Sequence, residues 1–332
     1  MQELPIGIQS FERLRENNYL YVDKTERLLD LISHGERYFL SRPRRFGKSL
    51  TLSTLEAMFK GKFNLFEGLK AYQWVQEQSK SPAPVLRLDI SIVETNSIEK
   101  LELTLKEIIE RTALFSDMEL HAESLTGKFA ELIMRFYKAK GPVVILIDEY
   151  DKPILDNIDD LEKANEMRKL MRSFYTVLKG CDDYLRFVMI TGISKFSKVG
   201  VFSALNNLHD ISLTDNYSDI VGYTQNELES YFKERINFTA DKLKISSSEI
   251  IAKLRDYYDG FSFDGKIRLY NPFSILNFFS TGDFRNYWYE SGSPSFIVEY
   301  MKKYKIEAPE EYRHKIVEHD FTTSQEIERA DP

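Results

Sequence analysis

The amino-acid sequence predicts an α/β fold, a mostly parallel sheet flanked by helices, with a smaller helical C-terminal lobe. Three stretches predict it. Tyr38-Phe39-Leu40-Ser41 reads as a short apolar strand; after the following loop, Leu50, Leu52, Leu55, Met58 and Phe59 fall near helical spacing. Val143-Val144-Ile145-Leu146-Ile147 is an unbroken aliphatic run ending in Asp148-Glu149, the pattern of a strand buried on both faces of a parallel sheet. From about residue 222 the pattern changes to short helices and turns, opened by two capping-box pairs, Thr224 with Glu227 and Ser246 with Glu249.

Composition sets the class. A chain of 332 residues is long enough for two ordinary domains with a substantial core. With 42% hydrophobic and 29% charged residues it fits neither a disordered nor a membrane protein. No apolar run approaches the roughly 18 residues that a spanning helix needs. The net charge of −7 argues against a whole-surface attraction to nucleic acid or anionic lipid. A single cysteine, Cys181, cannot form an internal disulfide, and Met1-Gln2-Glu3-Leu4-Pro5 lacks the basic and apolar regions of a signal peptide, so a cytoplasmic protein is expected. The five histidines are scattered without zinc-ligand spacing.

In chain order, Asp23 followed by Glu26 predicts a helix over 24–34 that feeds the first strand. Arg42-Pro43-Arg44-Arg45-Phe46-Gly47-Lys48-Ser49 then departs at one position from the phosphate-binding pattern Gly-x-x-x-x-Gly-Lys-Ser/Thr: Arg42 stands where the first glycine belongs. Gly-Lys-Ser itself is intact. In such a loop the backbone N–H groups and the helix N-terminus face phosphates, Lys48 supplies a charge and Ser49 a hydroxyl for Mg²⁺. Without the first glycine, Pro43 stiffens the start of the loop, and Arg44 or Arg45 is expected to turn inward toward phosphate or an acidic residue. The helix over 24–34 is read first as a packing helix and second as a border for a nucleotide base.

Pro84–Ile90 is the second strand, with Asp89 at its end read as a cap, and two helical stretches lie between about 97 and 139. At the end of the aliphatic strand, Asp148 suits the Mg²⁺ shell and Glu149 the orientation of an attacking water, since phosphoryl transfer depends on positioning and charge neutralisation. A helix over 158–180 leads to a strand over 184–195 that ends in polar residues, whose Thr191 is the candidate sensor of a γ-phosphate, with Lys195 a weaker one. Asp210-Ile211-Ser212-Leu213 is a short fifth strand. Asp259-Gly260, Asn271-Pro272 and Ser291-Gly292-Ser293-Pro294 read as turns. The expected organisation is a core over 1–221, a lid-like helical lobe over 222–304 and a charged connector over 305–332. Arg255, Arg268 and Arg285 are the arginines that lobe could offer to phosphates.

These motifs together resemble the AAA-ATPase-like family, bacterial and archaeal P-loop proteins that often carry a nuclease-like domain of the PD-D/E-x-K type. The residues that carry the resemblance are Tyr21-Val22-Asp23-Lys24-Thr25, the Arg42–Ser49 loop, Ile147–Pro153, Thr191–Lys195, Leu205–Leu208, Tyr257–Phe261, Tyr270–Ile275 and Tyr287-Trp288. The resemblance spans about residues 5–300 and makes the loop beginning with Arg42 the family's usual one. It implies ATP, where spacing alone implied only a nucleoside triphosphate. No Pro-Asp followed by an acidic-x-Lys strand is legible, so the sequence is expected to stop before the nuclease-like domain.

The reading that follows is Mg²⁺-dependent ATP binding and hydrolysis, coupled to movement of the C-terminal lobe or a partner domain. Arg44, Arg45, Phe46, Gly47, Lys48, Ser49 and Leu50 hold the nucleotide, Ser49 and Asp148 the metal, and Glu149, Lys48 and Thr191 serve catalysis. The alternative is a slow-turnover ATP-gated switch or scaffold in a nucleic-acid-processing system. A nucleic-acid partner would act through the associated nuclease-like domain, no membrane partner is expected, and the oligomeric state is left open.

Overall fold

The computed structural model describes residues 1–194 and 208–287. In chain order its elements are α1 (Phe11–Glu16), α2 (Thr25–His34), β1 (Arg37–Ser41), α3 (Lys48–Phe59), α4 (Tyr72–Gln78), β2 (Val85–Asp89), α5 (Ile98–Leu114), α6 (Leu125–Lys140) and β3 (Val143–Asp148). There follow α7 (Lys152–Leu155), α8 (Leu161–Gly180), β4 (Leu185–Gly192), β5 (His209–Asp210), α9 (Gln225–Tyr231), α10 (Lys233–Leu243), α11 (Ser247–Tyr258) and α12 (Pro272–Thr281). They pack as two compact units. One gathers Met1–Leu29, Pro43–Thr54 and the described residues from Ile211 onward; the other gathers Asp30–Arg42 and the described residues from Leu55 to Asp210. Packing thus groups the loop after β1 with the N-terminal segment and the helical lobe.

The second unit is built on a five-stranded sheet in the order β2-β3-β4-β1-β5, parallel throughout its ladders. β4 therefore lies between the acidic strand β3 and the loop-bearing strand β1. All six residues of β3 are buried, as an aliphatic run covered on both faces requires. Side chains alternate across the strand: Val143, Ile145 and Ile147 join Leu105, Ile109, Phe129, Ile133 and Phe174 of α5, α6 and α8 in one core. Toward the other face, Phe187 of β4 meets Phe59 at 5.2 Å between ring centres, and Phe59 meets Trp74 of α4 at 5.9 Å. Ser97, Ser124 and Asp160 cap α5, α6 and α8 by accepting the N–H of Lys100, Gly127 and Lys163. The fifth strand is shorter and earlier than its sequence suggests, because only Tyr38 and Phe39 of β1 pair with it.

In the first unit, both expected capping boxes are present, at Thr224 with Glu227 and at Ser246 with Glu249. Leu228, Phe232, Ile250, Leu254, Ile275 and Phe278 form its core, and Leu20 and Val22 of the N-terminal segment are part of it. Lys24 fastens that segment, donating to the Asp219 carbonyl at 2.8 Å and pairing with Glu227 at 2.7 Å. Asp23 accepts from the N–H and hydroxyl of Thr25 at the start of α2. Asn271-Pro272 corrects its reading as a turn: Asn271 is an N-cap that accepts from Ser274 N–H, and Pro272 opens α12, where its missing donor and fixed φ are harmless. Asp89 is the cap it was expected to be, accepting from Ser91 N–H at 2.9 Å. Ser291–Pro294 and the connector over 305–332 lie outside the described residues.

Candidate functional site

β1 ends at Ser41, and α3 begins at Lys48 with no residue between the loop and the helix. The two left-handed positions of this loop are Arg45, at φ 64°, and Gly47, at φ 103°. Position 42 is not left-handed, so arginine stands there without the backbone cost that would call for glycine. Arg42 is instead the loop's buried arginine, 1% exposed, with Nη1 donating to the Ser41 carbonyl at 2.9 Å. Arg44 and Arg45 are both exposed, and the Arg45 guanidinium lies 5.0 Å from the ring centre of Phe273. The expectation of an inward Arg44 or Arg45 is corrected: the arginine that turns in is Arg42, and Arg45 packs on an aromatic face.

Lys48 is buried and reaches back across the loop, its Nζ donating to the Pro43 carbonyl at 2.9 Å. Thr51 closes the first turn of α3, its N–H bonding the Gly47 carbonyl at 2.9 Å and its hydroxyl the same carbonyl at 3.1 Å. Ser49 and Leu50 are half-buried on that turn. Phe46, beside Gly47, is buried and meets Phe261 and Phe263 edge-on at 4.9 and 5.4 Å. A recess of about 70 Å³ adjoins Gly47, lined mainly by apolar residues that include Tyr21, Val22, Leu28, Leu50 and Tyr223. Burial pushes the Tyr21 phenol above its usual range, against a hydrogen bond from Thr54, so it stays neutral.

The other unit holds Asp148, Glu149 and Thr191. Asp148 ends β3 and is 2% exposed. Because β4 is the neighbouring strand, the Thr191 hydroxyl reaches Asp148 and donates to Oδ1 at 2.7 Å. Glu149 leaves the strand in a left-handed conformation, φ 52°. Tyr150 N–H donates back to the Thr191 carbonyl at 3.0 Å, and the Tyr150 hydroxyl donates to the Ser194 carbonyl at 2.9 Å. Asp148 and Thr191, picked separately from sequence, are thus brought together.

Sequence reasoning missed Asp151 and the surroundings of Phe46. Asp151 follows the recognisable Asp-Glu pair in an acidic turn, and no spacing rule separates a buried acid there from a solvated one. Phe46 has no chemistry to betray it; its only signal was a large aromatic inside a loop. Of the lobe's arginines, Arg285 pairs with Asp283 at 2.9 Å, while Arg255 and Arg268 oppose the upward push that burial gives the Asp259 carboxyl. Lys195 lies outside the described residues.

A family model described as "Predicted AAA-ATPase" matches residues 5–202. A protein of Azotobacter chroococcum mcd 1, described as an uncharacterized protein in the vnfD 5′ region, is 40% identical over 311 residues, 93% of this chain. The chain spans 58% of that relative's length. Among solved structures, the Walker-type ATPase PABY2304 of Pyrococcus abyssi aligns over 88% of this chain and 77% of its own, at 12% identity and a TM-score of 0.43. The family supports ATPase-like nucleotide binding. By the extent of the family match, the chain belongs to the predicted AAA-ATPase family.

Proposed function

We propose that the protein binds ATP with Mg²⁺ on the loop after β1 and hydrolyses it with the acids that follow β3. The observation that carries this reading is the loop itself. β1 leads through the loop over residues 42–47 into α3, and Lys48 is folded over the loop's own backbone, an arrangement suited to an anion at a helix N-terminus. Gly47, Lys48, Ser49 and Leu50 take the phosphates, with Arg44 and Arg45 at the exposed rim. Ser49 hydroxyl and Asp148 carboxylate are the hard oxygen donors that Mg²⁺ accepts alongside water and phosphate oxygens, so the donor set fits the ion. Bound Mg²⁺ would neutralise charge on the transferring phosphoryl group. Glu149 orients the attacking water, and Thr191 holds Asp148 and responds to the γ-phosphate.

In this reading α2 borders the base, on the side of the apolar recess lined by Tyr21, Val22, Leu28 and Tyr223. Nucleotide state would reach the helical lobe through Phe46, one residue from Gly47 and packed on Phe261 and Phe263. In this reading residues 1–221 form the ATPase core and the helical lobe from residue 222 a lid, in a cytoplasmic protein. No described helix is long and apolar enough to cross a membrane. Work on nucleic acid would fall to an associated nuclease-like domain, because a net charge of −7 gives this chain no general attraction for a polyanion.

Titration calorimetry with ATP and Mg²⁺ tests the binding half. Lys48→Ala is expected to weaken affinity by about a hundredfold or more, as removal of a charged partner from a phosphate does. Equal affinity in the wild type and the variant would remove the loop from the reading.

A further inference from the structure

Asp151 has no part in the chemistry assigned to Asp148 and Glu149, yet it is the more enclosed acid, 0% exposed. Its Oδ2 accepts two backbone N–H groups just beyond β4, from Ile193 at 2.9 Å and from Ser194 at 2.6 Å. Tyr150 spans the same gap, bonding the Thr191 carbonyl through its N–H and the Ser194 carbonyl through its hydroxyl. Gly192 makes room for both. A Cβ there would come within 2.5 Å of two Tyr150 ring carbons and 2.8 Å of Asp151 Oδ1. On the other side, Thr191 holds Asp148. Glu149 therefore stands between two sets of bonds that join the same pair of segments, and it is the residue in the left-handed region. Such a conformation persists only where the surroundings over-determine it, and it gathers at functional sites.

We infer that Asp151 is the positioning residue of this site. By tying residues 193–194 to the turn after β3, it holds Glu149 in its left-handed conformation and keeps Thr191 against Asp148. It thereby fixes the direction of the Glu149 carboxylate. Asp151 touches no reacting atom in this role. The inference rests on the reading of Glu149 as the group that orients water, and it supplies the reason that a third acid follows Asp148-Glu149. A residue that only capped the backbone would support the fold without setting the rate of the chemical step.

The test uses Asp151→Ala, which removes both acceptor bonds, and Asp151→Asn, which keeps the shape and one acceptor oxygen without the charge. Amide hydrogen exchange at Ile193 and Ser194 should speed up by about tenfold or more in the alanine variant and by less in the asparagine variant, since charge-assisted bonds are the stronger ones. At saturating ATP, kcat should fall roughly tenfold to a hundredfold in Asp151→Ala with KM nearly unchanged, the cost of misplacing a catalytic group, and Asn should restore part of it. In a Glu149→Gln background, Asp151→Ala should have no further effect, because it acts through Glu149. Unchanged exchange would show that the clamp does not hold these amides. Faster exchange with unchanged kcat, or an undiminished loss in the Glu149→Gln background, would reduce Asp151 to a backbone cap. A wild-type protein without ATP turnover would overturn the reading of Glu149 and this role with it, while exchange would still report on the clamp. Asp151→Asn, nearly isosteric, keeps the test open if the alanine variant does not fold.

Discussion

The loop after β1 and the turn after β3 each hold a non-glycine residue in the left-handed region, Arg45 at φ 64° and Glu149 at φ 52°, by different means. Arg45 is exposed, and its guanidinium rests on the face of Phe273. Glu149 is bracketed by the Thr191–Asp148 bond, the Tyr150–Thr191 bond and the two bonds accepted by Asp151. Water can replace what an exposed side chain gives up. A buried lattice has no such substitute, so each broken bond leaves a desolvated polar group unpaired. The left-handed residue of the acid end is therefore held by buried hydrogen bonds, and that of the loop by an exposed contact on an aromatic face.

The sharpest way to break this contrast is Gly192→Ala. Its methyl group would meet the Tyr150 ring and Asp151, neither of which can yield without losing buried bonds. A loss of about 2–3 kcal/mol in denaturant unfolding is expected, within the range for overpacking a buried site. A change below about 0.5 kcal/mol, the size of an ordinary surface substitution, would mean that the lattice is looser than described.

A smaller effect separates two changes at the loop. Arg45→Gly removes the contact with Phe273 but frees the left-handed backbone, whereas Arg45→Ala removes the contact and keeps the strain. Glycine should be more stable than alanine at this position by about 1 kcal/mol, the cost of the left-handed region for a residue with a Cβ. Alanine equal to or better than glycine would say that Arg45 is not strained.

The smallest effect is a pH dependence in the helical lobe. Burial raises the Asp259 carboxyl above its ordinary 3.8, opposed by Arg268 and Arg255. The folded state thus prefers the protonated acid, so this group costs stability as pH rises through its folded value and costs nothing below 3.8. Asp259→Asn should melt higher than the wild type at pH 7, with the gain fading toward pH 3. A gain that persists unchanged at pH 3 would remove the charge as its cause.

Much of this architecture was legible because it rests on local rules. An unbroken aliphatic strand, a Gly-Lys-Ser loop and two reciprocal capping boxes each write their structure into neighbouring residues, and β3, α3, α9 and α11 lie where those rules put them. Thr191 was legible as a polar residue at a strand end, while its bond to Asp148 came only with the order of the strands. What escaped was tertiary. The choice of Arg42 as the inward arginine depends on left-handed positions falling at 45 and 47, and nothing in Arg-Pro-Arg-Arg distinguishes its three arginines. Asp151 reads as a solvated acid until β4 brings Ile193 and Ser194 beside it. Asn271-Pro272 reads as a turn, and only the structure, with Asn271 as N-cap and Ile275 and Phe278 packed in the core, makes it a helix start.

The central claim is that the acids after β3 hydrolyse the nucleotide that the loop after β1 binds. Its most direct test is ATP turnover in the wild type and in Glu149→Gln, with nucleotide affinity measured on the same preparations. Turnover should fall by about a hundredfold or more while affinity stays within a few-fold, as loss of a group acting on the attacking water predicts. Equal turnover in the two proteins would contradict the account.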